Sequence, residues 1–116
     1  MILSIGEILA DVIVGENNSS LQMEAHLGGA PLNVAVNAAR AGADVAFTGR
    51  VGRDVIGKFL IRQAKKTGLA KLDIQTDQKR NTTLAFVTIT GGERDFSFFR
   101  TDTADYHIDG DKINLG

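Results

Sequence analysis

The stretch Gly28-Gly29-Ala30-Pro31-Leu32-Asn33-Val34-Ala35 decides how this chain folds. It joins an extended, alternating segment to a helix through two glycines and the only proline in the sequence. Adjacent glycines admit positive φ and let the backbone approach a ligand with no Cβ in the way. Pro31 lacks an N–H and has φ preset near the helical value, so it suits the first turn of a helix. Asn33 carries its amide in that same turn, where unpaired backbone N–H groups favour an oxygen-rich ligand. Local physics leaves two readings open: a polar small-molecule site at a helix N-terminus, or an ordinary glycine–proline helix entry.

In the helix itself, Asn33, Asn37 and Arg40 recur at i, i+4 and i+7 and form one polar stripe. Leu32, Val34, Ala35, Val36, Ala38, Ala39 and Ala41 make the rest apolar. This pattern predicts a helix buried over most of its circumference and closed by Gly42 as its C′ residue.

Upstream, Met1 to Leu9 reads as one buried strand interrupted by Gly6, with Asp11 just beyond its far end. In an open α/β sheet, ligands gather beyond the carboxyl ends of the strands. A carboxylate there can accept bonds from two neighbouring hydroxyls, although alone it also reads as a solvated loop residue. Leu21, Met23, Ala25 and Leu27 alternate with Gln22, Glu24 and His26, which predicts a half-buried strand with His26 on its polar face. This pair of extended segments breaks the strand–helix alternation and is placed off the main sheet, as part of a lid.

Downstream, Val45-Ala46-Phe47-Thr48 predicts a short strand and Gly49-Arg50-Val51-Gly52-Arg53 a loop. Asp54 is a good N-cap for a helix whose apolar face is Ile56, Phe59, Leu60 and Ala64. Lys65 and Lys66 suit its last turn, Gly68 closes it, and Leu72-Asp73-Ile74 is a third strand. Two strand–helix–strand units in series imply a parallel sheet. Thr82 to Thr90 and Asp95 to Arg100 form a hairpin about a Gly91-Gly92-Glu93 turn, with Phe96, Phe98 and Arg100 on one face. Such a face suits a lid over a polar ligand, and equally an aromatic cluster with an edge arginine. Asp105, His107, Asp109 and Gly110 mimic the start of a calcium loop, but Gly116 stands at the bidentate position and histidine is a poor calcium ligand. Calcium is rejected, and no metal site is expected.

Composition sets the outer limits. The 116 residues are one domain's worth, with 13 basic against 14 acidic side chains and no basic run, which argues against nucleic-acid or membrane partners. The absence of cysteine removes disulfides and thiolate chemistry. No signal-peptide pattern or membrane-length apolar run is present, so the expected compartment is the cytoplasm. No Gly-x-Gly-x-x-Gly fingerprint or Walker-type phosphate loop occurs.

Gly28, Gly29, Pro31, Asn33, Ala35, Gly42 and Gly52 fall at the spacing of the first signature of the ribokinase-like (PfkB) carbohydrate kinases, which the chain resembles from Met1 to about Asp109. The wording around Pro31 looks most like the fructokinase branch, and the resemblance covers only the first part of a family enzyme. It implies the N-terminal part of a doubly wound, Rossmann-like α/β sheet with a small β-strand lid over about residues 11–27 and 82–100. It also implies ATP-dependent phosphorylation of a sugar hydroxyl, with fructose the first candidate. Rival substrates are 2-keto-3-deoxygluconate, a nucleoside or an aminoimidazole riboside.

By the same resemblance, Asp11, Gly28, Gly29, Asn33, Phe98 and Arg100 bind the sugar, with Phe98-Phe99-Arg100 matching an aromatic-x-Arg lid segment. Phenylalanine stands where many relatives have tyrosine. The catalytic base, and most of the site for ATP and Mg, belong to a later glycine-rich motif that does not occur before Gly116. No catalytic residue is expected among these residues. A homodimer through the lid strands is implied, and a sheet cut after three strands should leave apolar faces uncovered. The alternative is a non-catalytic module that binds a sugar or a partner subunit.

Overall fold

The computed structural model describes residues 1–90 and 92–114. Gly91 of the expected turn and Gly116 of the rejected calcium loop lie outside them. Seven strands and two α-helices follow in the order β1 (Ile2–Ile5), β2 (Leu9–Asn17), β3 (Ser20–Gly28), α1 (Ala30–Arg40), β4 (Val45–Gly52), α2 (Val55–Lys65), β5 (Lys71–Asp77), β6 (Thr83–Thr90) and β7 (Glu93–Phe99). They build two sheets. One is parallel, in the order β1-β4-β5, and is linked through α1 and α2; the other is mixed, in the order β3-β2-β6-β7. The α/β class and the separate strand layer are as expected.

The first correction concerns the N-terminus. The run Met1 to Leu9 is not one strand: it breaks at Gly6, and Leu9 opens a strand of the second sheet. Gly6 packs so closely on Pro31 that a Cβ there would lie 2.6 Å from the proline Cγ, so the chain turns where the helix begins. Nor is the strand buried. β1 is the edge of its sheet, and Ile2 and Ile5 stand 58% and 50% exposed. Helix α1 is likewise less buried than its composition predicts. It packs on β1 and β4 along Leu32 and Ala35, while Val34 is 64% exposed. Among the described residues, no second layer covers that side.

A second correction lengthens β4, whose pairing with β5 continues from Gly49 through Gly52, where a loop was expected. The glycines are required by proximity, not by a turn. A Cβ on Gly49 would press on the Phe47 ring and Ile8, and one on Gly52 on the backbone of Arg80 and Thr82. Arg50 is then held in the strand by Asp77 (Nε to Oδ2, 3.1 Å) and Gln75 (Nη1 to Oε1, 3.0 Å). Helix α2 starts as predicted: Asp54 accepts from Gly57 N at 2.7 Å, and also from Thr82 N and the Thr82 hydroxyl.

The second sheet has one covered face. Ala10, Val12, Val14, Ala25, Leu27, Leu84 and Phe86 pack against the main core of Ile8, Leu32, Phe47, Val51 and Leu60. Coverage ends before the far tip, so Leu21 and Met23, expected to be half-buried, are exposed. After β7, two 3-10 turns (Ala104–Tyr106 and Gly110–Lys112) return the chain to β5, where Gln75 exchanges two hydrogen bonds with the Asp109 backbone.

Candidate functional site

The other face of the second sheet carries the site. Register aligns His26 of β3, Asp11 of β2, Ala85 of β6 and Phe98 of β7 in one cross-strand row. Directly paired residues point to the same face, so Asp11 and Phe98 stand on one side with only the Ala85 methyl between them. Asp11 is therefore inside strand β2, two residues after its start. The carboxylate just past the end of β1 is Glu7.

Gly28 lies against Asp11. A Cβ at Gly28 would intrude on the carboxylate, 2.8 Å from its Cγ, so glycine at this position leaves room for the acid. Gly29 has φ +114°, a conformation glycine adopts at little cost, and a Cβ there would sit 2.5 Å from the Glu7 carbonyl oxygen. The glycine pair thus joins two neighbours: Asp11 on β2, and the Glu7 backbone just past the end of β1. Gly29 is also the N-cap of α1, its carbonyl accepting from Asn33 N at 3.2 Å.

Arg100 comes in from the end of β7. Its guanidinium lies 4.6 Å from the centroid of the Phe98 ring, Phe98 stacks with Phe96 at 6.3 Å, and Arg100 Nη2 donates to Glu7 Oε2 at 3.0 Å. The predicted one-faced trio of Phe96, Phe98 and Arg100 is present. The Arg100 Nε–H is buried and has no partner among the described residues. An unpaired buried donor costs about 1–3 kcal/mol, which an incoming oxygen would offset.

Asp11, Gly28, Gly29, Phe98 and Arg100 therefore form a connected set, with Glu7 as the link. Asn33 is joined to it only through its backbone; its side chain is exposed and makes no hydrogen bond among the described residues. The Asp11 carboxylate accepts none there either. His26 shares this face, paired with Asp11 across the strands, but is exposed and lies 3.5 Å from Glu24. Sequence reasoning missed Glu7, whose only signal was a charge interrupting an apolar run. It also missed that Asp105 accepts from Thr83 (2.6 Å) and Thr103 (2.9 Å), pinning the return segment beneath the same face.

The carboxylates whose acidity the fold clearly shifts lie elsewhere. Burial works to raise the Asp77 pKa. It is outweighed by N–H groups donated from Lys79 and Arg80 and by the bonded Arg50, leaving the acid far below the usual carboxylate range. At Asp102 a 2.5 Å contact with His107 lowers the pKa, slight burial opposes it, and Arg80 adds to the lowering. A cleft of about 620 Å³ lies between the α2 N-terminus and the end of β7; of the expected site residues only Phe98 borders it. Among the described residues, no group of three or more His, Asp or Glu side chains is placed to hold a metal ion.

The family model described as pfkB family carbohydrate kinase matches residues 1–114. The chain belongs to that family. It is 37% identical to probable fructokinase-2 of Arabidopsis thaliana, over 99% of this chain and 36% of that protein. It is 38% identical to the fructokinase of Solanum tuberosum, over 99% of this chain and 38% of the relative. Among solved structures, fructokinase from Xylella fastidiosa superposes with a TM-score of 0.80 at 38% identity, covering 92% of this chain and 34% of that one. A structure of the same protein with bound ATP gives 0.79. This pfkB-family chain thus spans about a third of the length of these relatives, and its architecture is that of ribokinase-like sugar kinases.

Proposed function

We propose that this chain is the sugar-recognition part of a kinase that transfers a phosphoryl group from ATP to a hydroxyl of a small sugar, with D-fructose as the first candidate. The observation that carries the reading is the connected set around Gly28 and Gly29, in which two polar groups have no hydrogen-bond partner among the described residues: the Asp11 carboxylate and the buried Arg100 Nε–H. One accepts and the other donates, which matches the adjacent hydroxyls of a polyol. Phe98 supplies an apolar wall beside them, and Asn33 adds an exposed amide at the helix entry. The relatives named fructokinase support the choice of sugar.

Phosphoryl transfer needs a base to take the hydroxyl proton and positive or N–H groups to stabilise the transferring phosphoryl. No residue of this chain is proposed for either task. The described side chains do not fit a metal–nucleotide site, so ATP and Mg are assigned to other parts of the protein. The exposed apolar side chains Ile13, Phe96 and Phe98 on the lid favour a homodimer through the lid strands. A cytoplasmic location, with no nucleic-acid or membrane partner, completes the proposal. Among the described residues, no helix is long and apolar enough to cross a membrane.

The test is a calorimetric titration with D-fructose of the protein that carries this segment, repeated with Asp11→Ala, beside an assay of its fructose-dependent ATP consumption. Saturable binding that Asp11→Ala removes, together with turnover, supports the kinase reading. Binding without turnover favours the non-catalytic module, and unchanged affinity in Asp11→Ala removes Asp11 from the site.

A further inference from the structure

The sequence leaves Arg100 free to serve either a hydroxyl or a carboxylate, and so leaves a neutral sugar and a sugar acid as rival substrates. The structure adds a residue that bears on that choice. Glu7 sits between β1 and β2 with its backbone held against Gly29, and its carboxylate meets Arg100 Nη2 at 3.0 Å across 93 residues of sequence. Both side chains are about one-third exposed, so the pair is neither fully solvated nor sealed.

We propose that Glu7 is a specificity-determining residue of the sugar site, pairing with Arg100 so that the site takes a neutral polyol and rejects a sugar acid. This rests on the reading of the connected set as a sugar site. Glu7 acts through Arg100 and is a positioning residue. Two effects follow from one contact. The pair orients the guanidinium, with its face on Phe98 and its Nε–H left unpaired for a ligand oxygen. It also cancels the charge that would attract a carboxylate. Glu7 is bonded to the guanidinium and Asp11 stands in the cross-strand row of Phe98, so the set holds two acids to one arginine and a ligand carboxylate would add a third. Like charges brought together disfavour the ionised ligand, so selectivity arises from repulsion as well as from fit.

The experiment measures dissociation constants for D-fructose and 2-keto-3-deoxygluconate on the protein that carries this segment, for wild type, Glu7→Gln, Arg100→Gln and the double variant. Wild type should prefer fructose. Glu7→Gln should move the ratio toward the acid by about tenfold or more, and the shift should vanish in the Arg100→Gln background. Fructose binding retained in Glu7→Gln with an unchanged ratio overturns the role of Glu7 and leaves the sugar site standing. A wild type that binds neither sugar overturns the site itself. If Glu7→Gln does not fold, Glu7→Asp and wild type decide the matter. Glu7→Asp keeps the charge and should keep the preference for fructose; a wild type that binds the acid as tightly as fructose refutes the proposal.

Discussion

Replacing Gly28 by alanine separates a ligand effect from a folding effect, because the atoms nearest the added methyl belong to the side chains of Asp11 and Leu9. Gly28 is not among the glycines with positive φ, so its backbone accepts an L side chain. The new Cβ would lie 2.8 Å from Asp11 Cγ and 3.1 Å from Leu9 Cδ1. Asp11 Oδ2 is closer still, so restoring an ordinary contact requires the carboxylate to retreat by about an ångström. Asp11 is the far end of a flexible side chain and has no hydrogen bond among the described residues to hold it, so it yields. The cost to folding should stay near 1 kcal/mol, at the low end for overpacking.

The cost to binding should be larger. Hydrogen bonds from ligand hydroxyls to a charged carboxylate contribute about 1.5–3 kcal/mol each. Losing or stretching one of them weakens fructose binding roughly 10- to 100-fold. The assay is calorimetric titration with D-fructose for wild type, Gly28→Ala, Asp11→Ala and the double variant, with a thermal melt of each. If the methyl acts through Asp11, the double variant binds no more weakly than Asp11→Ala alone. A Gly28→Ala protein that binds fructose within twofold of wild type would refute the reasoning, as would a further loss on the Asp11→Ala background.

Gly29→Ala should behave in the opposite way: with φ +114° and the Glu7 carbonyl 2.5 Å from the new Cβ, it should cost at least about 2 kcal/mol in chemical denaturation. Asp54→Ala removes an N-cap, worth about 1 kcal/mol, and strips the buried Thr82 N–H of its acceptor. The combined loss of about 2–4 kcal/mol should lower the melting temperature by about 8–15 °C. Because the Asp77 pKa is depressed in the folded state, its stabilisation is present above the unfolded value near 4 and is lost as pH falls below it. A pH series of denaturation midpoints should decline through that range and be flatter in Asp77→Asn. The exposed Ile2, Leu3, Ile5 and Val34 predict that the isolated chain associates or melts without cooperativity, and a monomer with a sharp calorimetric transition would contradict that.

Where local chemistry and tertiary placement pointed the same way, the sequence was legible. Pro31, Asp54 and Gly42 mark helix ends because each answers a backbone requirement that exists before any tertiary contact. The alternation on β7 likewise put Phe96, Phe98 and Arg100 on one face. The misreadings came where glycine was taken as punctuation. Gly49 and Gly52 lie inside β4, where a Cβ would crowd Ile8 and Phe47 at the first and clash with Asp54, Arg80 and Thr82 at the second, and their numbers in the chain give no hint of it. The buried faces expected of β1 and α1 failed for a related reason. Apolarity reports what a surface could be packed against, and the described residues supply no layer there. Glu7 is the most instructive miss. Read alone, it is a charge in a strand break; its meaning comes only from Arg100, 93 residues later, and from Gly29, whose lack of a Cβ lets the Glu7 backbone lie close enough for the two to meet. The glycine pair therefore acts less as a loop that wraps a ligand than as a gap: Asp11 occupies one side of it and Glu7 the other. Filling the gap at Gly28 should therefore displace the Asp11 carboxylate and through it the sugar, whereas filling it at Gly29 should push on the Glu7 backbone and first cost stability.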